Sequence, residues 1–208
     1  MSMKRTAALV VGASAVALSS IVAVPGTAGA AIDTMTYWED GNSRFEQTVS
    51  NDNPKVGETF TVTTSFQRKW ADEYIYNVKE LVGSCIESVP GTTTWAGKLV
   101  TSKVTTSEPG ADESWMRVEA PSITAWKVTG LGSGWGAKVK LTTDFRVTNA
   151  CKAGDVLSTT MHYGGSLGSG TYKEKGPVIT IAEGTVEEPT EPGGSNGSLD
   201  IGSLFGSS

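Results

Sequence analysis

Residues 60–66 alternate without a break: Phe60, Val62, Thr64 and Phe66 fall on one side of an extended chain, Thr61, Thr63 and Ser65 on the other. Successive side chains of a strand point to opposite faces, so this segment is predicted to be a strand with one buried side. Val139, Leu141, Thr143, Phe145 and Val147 repeat the pattern against Lys140, Thr142, Asp144 and Arg146. Weaker alternation predicts strands over 34–38, 44–49, 73–79, 92–95, 99–104, 115–119, 123–128, 156–163 and 178–181. Turn formers separate most of them: Asn51-Asp52-Asn53-Pro54, Pro90-Gly91, Pro109-Gly110 and the glycine-rich stretches 130–136 and 164–170. No segment after residue 30 sustains a capped helical period. Many short strands at this spacing predict an all-β fold, an antiparallel immunoglobulin-like β-sandwich.

The two ends break the alternation. Lys4 and Arg5 precede an almost wholly apolar or small run from Ala7 to Val24, which stops at Pro25-Gly26 and is followed by Ala28-Gly29-Ala30. A basic start, an apolar centre and a small-x-small site form a secretory signal peptide, here 1–30, and predict an exported protein. No second apolar stretch of membrane length follows, so no membrane span is expected after cleavage. Residues 183–208 mix acidic residues, Pro, Gly and Ser, a composition that buries too little apolar surface to offset ordering, and are expected to be a disordered tail. One sandwich domain is left, 31–182.

Export changes how the two cysteines are read. In an oxidising compartment Cys85 and Cys151, far apart in sequence, are expected to form one disulfide. The formal charge is −5, and loss of Lys4 and Arg5 leaves 15 basic residues against 22 acidic ones. That balance argues against nucleic acid, whose phosphates call for clustered Lys and Arg, and against anionic lipid.

Three short motifs follow one another along the predicted sandwich: Val56-Gly57-Glu58-Thr59-Phe60-Thr61-Val62, then Val89-Pro90-Gly91-Thr92-Thr93-Thr94-Trp95, then Ala153-Gly154-Asp155-Val156-Leu157. In this order they resemble the bacterial surface repeat called domain of unknown function eleven, over roughly residues 54–163. The resemblance implies an immunoglobulin-like sandwich in a cell-envelope or extracellular setting and brings no catalytic residues. The chain departs from that pattern at Gln67-Arg68-Lys69-Trp70, in having a single copy, and in its cysteine pair.

Motifs that carry chemistry are few. Gly164-Gly165-Ser166-Leu167-Gly168 matches the pattern of a nucleophile elbow, but no helix is predicted after it and the only histidine, His162, precedes the serine. A glycine-serine hairpin loop is expected instead. One histidine and two bridged cysteines fall short of a zinc site, and Asn51-Asp52-Asn53-Pro54 reads as a turn before it reads as a calcium linker. No catalytic residue, metal ligand or cofactor is assigned.

Six tryptophans are the notable surplus. Trp126, near Ile123 and Val128, reads as core, whereas Trp70, Trp115 and Trp135 are the candidate ligand-binding residues, because exposed indoles suit sugar rings or a partner's hot spot. The expected function is an exported, non-catalytic envelope or adhesion module whose partner is an envelope protein or glycan. The alternatives are a carbohydrate- or small-ligand-binding module using those tryptophans and, more remotely, a secreted hydrolase built on scattered carboxylates such as Asp144 and Glu119.

Overall fold

The computed structural model describes residues 34–101, 103–107 and 114–184. The expected signal peptide, 1–30, and the expected tail beyond residue 184 lie outside the described residues. Fifteen strands follow in order: β1 Thr34–Asp40, β2 Ser43–Val49, β3 Thr59–Arg68, β4 Glu73–Leu81, β5 Ile86–Ser88, β6 Thr94–Trp95, β7 Lys98–Leu99, β8 Val104–Thr106, β9 Trp115–Glu119, β10 Lys127–Val128, β11 Val139–Val147, β12 Val156–Ser158, β13 Thr160–Gly165, β14 Gly168–Tyr172 and β15 Val178–Thr180. One sheet runs β1-β2-β3-β11-β6-β7, with β5 also on β11; the other runs β14-β13-β4-β9-β8, with β10 also on β4. β12 and β15 form a separate two-stranded ladder, and every pairing is antiparallel.

The alternation seen in sequence is the packing pattern. Phe60, Val62, Thr64 and Phe66 of β3 and Leu141, Thr143, Phe145 and Val147 of β11 are buried, in the register Phe66↔Val139 to Phe60↔Phe145. Ile75 and Val78 of β4, Met116 and Val118 of β9 and Met161 and Tyr163 of β13 join them in the buried core. Trp126 is in that core, its ring stacked on Trp95 at 4.5 Å between centroids and 11° between planes. Cys85, between β4 and β5, is bonded to Cys151, just after β11, with their Cα atoms 5.0 Å apart. For a closure spanning 66 residues, the chain-entropy model gives about 4 kcal/mol of stabilisation.

Several strand expectations are corrected. Residues 123–128 do not form one strand: a turn closed by Ala125 N–H to Ser122 C=O (3.1 Å) delivers Trp126 to the core, and only Lys127–Val128 pair with β4. Residues 99–104 and 156–163 each divide because the chain changes partners within them, from β6 to β9 in the first case and from β15 to β4 in the second. Gly168–Tyr172 was expected to begin as loop and is a strand from its first glycine, paired with β13. Within β4 the buried positions run Glu73, Ile75, then Val78, Glu80, so the period slips at Tyr76-Asn77. The slip faces a β-bulge at Gly164/Gly165, where a Cβ on Gly165 would overlap the Glu73 carboxylate.

Candidate functional site

The structure separates the three candidate tryptophans. Trp70 sits in the turn joining β3 to β4, before Glu73, whereas Trp115 opens β9 opposite Leu81 at the other end of β4. Eight residues of extended chain put these two ends about 26 Å apart. Trp135 lies in the loop 129–138, which is tied to the Trp70 turn. Leu131 and Gly132 N–H donate to Lys69 C=O at 3.0 and 2.7 Å, Gly136 N–H donates to Arg68 C=O at 2.8 Å, and Gln67 Nε2 donates to Gly136 C=O at 2.8 Å. Trp70 and Trp135 therefore share one end of the sandwich and Trp115 occupies another.

At the shared end, Trp70 is 59% exposed and Leu131 66% exposed. Both stand on backbone held from several sides. Gly130 N–H donates to Asp72 Oδ1 at 2.9 Å, and Lys127 Nζ lies 2.6 Å from Asp72 Oδ2. The hydrogen bond from Lys127, then that from Gly130, holds the Asp72 carboxyl below its usual range, and Lys127 is raised in return. Beneath the turn, buried Arg68 pairs with buried Glu73, Nη1 to Oε2 at 3.3 Å, and also donates to Ser43 Oγ. Burial pushes the Glu73 carboxyl up more than Arg68 pulls it down. Trp135 is half-buried, with the Arg44 guanidinium 4.2 Å from its ring centroid, and Arg44 is in turn held by Glu39 at 2.6 Å. The tip is thus an apolar pair, Trp70 and Leu131, on a polar scaffold.

At the other end, half-buried Trp115 is covered by Lys79, whose Nζ lies 4.5 Å from the ring centroid. Beside it is an open groove of about 370 Å³, walled by Val82, Ile86, Ser107, Trp115 and Phe145.

A third group of side chains was not singled out from sequence. Gln47 of β2, Thr64 of β3, Glu80 of β4 and Thr159, between β12 and β13, meet in the interior, each at most 1% exposed. Gln47 Nε2 donates to Thr64 Oγ1 at 3.0 Å, Thr64 Oγ1 donates to Glu80 Oε1 at 2.5 Å, and Thr159 Oγ1 donates to Gln47 Oε1 at 2.7 Å. Glu80 Oε2 has no hydrogen-bond partner. Burial, opposed only by hydrogen bonds from Thr64 and Gln47, pushes the Glu80 carboxyl up to about 7. In sequence, Gln47 and Glu80 resemble ordinary polar positions of half-exposed strands. The signal that marked them was their phase with Phe45, Val49 and Val78.

The remaining candidate chemistry is dispersed. Ser166 is in the β13–β14 turn, its hydroxyl accepting from Tyr74 N–H at 3.0 Å, while the His162 ring meets Thr171 Oγ1 at 3.2 Å. Asp144 accepts from Thr61 Oγ1 at 2.7 Å on the first sheet, and Glu119 pairs with Arg117 and Lys103 on the second, so these carboxylates do not converge. Asn51 forms an Asx turn to Asn53 N–H at 2.9 Å and donates to Glu58 at 2.7 Å. Among the described residues no three His, Cys, Asp or Glu side chains gather as a metal-binding group.

The antiparallel, disulfide-closed, immunoglobulin-like sandwich defines the class of this domain. No protein-family model matches the chain, and no curated protein matches it. Among solved structures it is similar to a putative membrane-anchored protein of Corynebacterium diphtheriae, at 10% identity and a TM-score of 0.43, over 75% of this chain and 37% of that one. It is similar to the pilus backbone protein of Streptococcus pneumoniae, at 11% identity and a TM-score of 0.37, over 54% of this chain and 26% of that one. A third is the major pilin subunit of Bacillus cereus, at 10% identity and a TM-score of 0.40, over 72% of this chain and 47% of that one. The chain matches less than half the length of each of these proteins.

Proposed function

We propose that the chain is an exported, non-catalytic envelope or adhesion module whose contact end is the Trp70 and Leu131 tip. One observation carries this: two large apolar side chains are held in solvent on loops that hydrogen bonds and ion pairs have already ordered. A preordered apolar tip loses little conformational freedom on binding, which is how aromatic hot spots gain affinity. The signal peptide and the disulfide support an envelope or extracellular setting. Kinship with domain of unknown function eleven is part of the same proposal. In its support, the three motifs fall just ahead of or within β3, β6 and β12, with Gly57, Gly91 and Gly154 at φ of +85°, +78° and +86°.

A second reading rests on the groove beside Trp115. An indole wall next to the Ser88, Thr106, Ser107 and Ser114 side chains fits a sugar ring. The readings separate by titrating mature protein with isolated cell-wall sacculi, with and without their protein stripped. The adhesion proposal expects binding that Trp70→Ala abolishes, Trp115→Ala leaves intact, and stripping removes. Binding that survives stripping and depends on Trp115 would replace it with the glycan reading.

A further inference from the structure

A glutamate buried between two β-sheets with no cation beside it calls for an explanation, since burying a carboxyl costs free energy unless its hydrogen-bonding capacity is used. Here the neighbours of Glu80 are a hydroxyl and a carboxamide, which together can react. Gln47 and Thr64 are direct cross-strand partners in the β2–β3 ladder, with both side chains pointing into the core. Cβ atoms of such partners lie about 5 Å apart, the span of the path Cβ–Cγ–Cδ–Oγ–Cβ that an ester between these side chains would follow.

We propose that Gln47 and Thr64 form an intramolecular ester cross-link, with Glu80 carrying the proton. The Thr64 hydroxyl already points at Glu80, with Oγ1 to Oε1 at 2.5 Å. Glu80 takes that proton as Thr64 Oγ1 forms a bond to Gln47 Cδ. The charge that develops on Gln47 Oε1 is met by the Thr159 hydroxyl, which already donates to it at 2.7 Å. When the tetrahedral centre collapses, the Cδ–Nε2 bond breaks, the proton on Glu80 passes to the departing nitrogen, and ammonia leaves. Glu80 ends as it began, and no co-reactant is consumed. A carboxyl poised near neutrality suits both halves of this transfer. The packing excludes the water that would hydrolyse the product, and the site is closed by Gly176, where any Cβ would overlap Gln47 Oε1 and Thr159 Oγ1.

The reaction runs once per molecule and is separate from any contact at the Trp70 tip. Its test is a tryptic map of the purified mature protein, after incubation at neutral pH until the map is constant. Residues 45–55 and 56–68 are separate tryptic peptides, one containing Gln47 and the other Thr64. They are expected to appear joined, lighter than their sum by one ammonia, and to separate with hydroxylamine, which cleaves esters and leaves the amide bonds of these two peptides intact. The joined pair is the readout because Asn196-Gly197 can also lose ammonia. Thr64→Val and Glu80→Gln are each expected to yield two unjoined peptides. Should either variant fail to fold, the wild-type map decides alone. Unjoined wild-type peptides, Gln47 simply deamidated, or peptide 45–55 joined instead to 153–173, which carries Thr159, would each overturn the proposal.

Discussion

Where β3 turns into β4, Trp70 and Leu131 stand in solvent on backbone fastened by Arg68–Glu73 and Asp72–Lys127. Where β11 runs towards Cys151, the apolar side chains Ile86, Phe145 and Val147 are buried and a disulfide closes the chain. The first end keeps apolar surface outside by burying charge beneath it. The second end removes apolar surface from water and stabilises it covalently. The proposed contact end thus leaves apolar surface in water, whereas the disulfide end removes it.

The largest effect expected follows from breaking the covalent end. Replacing Cys85 and Cys151 together by Ala should cost about 4 kcal/mol in denaturant unfolding. Under conditions where that variant stays folded, sacculus binding through Trp70 should be unchanged. A loss of binding in the folded variant would show that the two ends are coupled.

Next is the charged scaffold. Arg68→Met leaves Glu73 buried without its cation and should cost roughly 3 kcal/mol near neutral pH. The cost should shrink in acid, where Glu73 takes a proton. A penalty independent of pH would assign the loss to packing of the Arg68 stem rather than to its charge.

The buried carboxyl in the middle makes a related prediction. The folded-state pKa of Glu80 is raised, to about 7, so the folded protein binds its proton more tightly than the unfolded chain does. Its contribution is complete below the unfolded value and is lost as pH rises through the folded one. Stability should therefore fall between about pH 4.5 and 7.5, by on the order of 3 kcal/mol for this group. Glu73, also raised, adds to the decline with the same sign. Glu80→Gln should flatten the slope measured by urea unfolding across that range, and an unchanged slope would show that Glu80 does not titrate as described. An ester between Gln47 and Thr64 removes both of the donors that lower the Glu80 carboxyl, so it raises that carboxyl further and carries the decline to higher pH.

What the sequence disclosed follows the same division. β3 and β11 were legible because one face packs and the other meets water along their whole length, so the period never slips. β4 was legible only in part, because its bulge at Tyr76-Asn77 changes phase, a consequence of pairing with Gly164/Gly165 almost ninety residues away. β14 opens Gly-Ser-Gly and looked like loop because its partner β13, not its own composition, makes it a strand. Trp126 was read as core from its apolar neighbours. The grouping of Trp70 with Trp135, and the distance of both from Trp115, depend on how β3, β4 and loop 129–138 meet, which no local pattern records. The Gln47, Thr64, Glu80 and Thr159 cluster draws on four separate segments and was hidden for the same reason.

The smallest expected change in stability belongs to the residue with the largest expected change in binding. Trp70→Ala removes a side chain that is mostly in solvent and should alter unfolding free energy by no more than about 0.5 kcal/mol. Titrating the wild-type and Trp70→Ala proteins side by side against sacculi that retain their proteins tests the contact end most directly. At least about a tenfold loss of affinity at unchanged stability is expected. Equal affinity of the two proteins would contradict it.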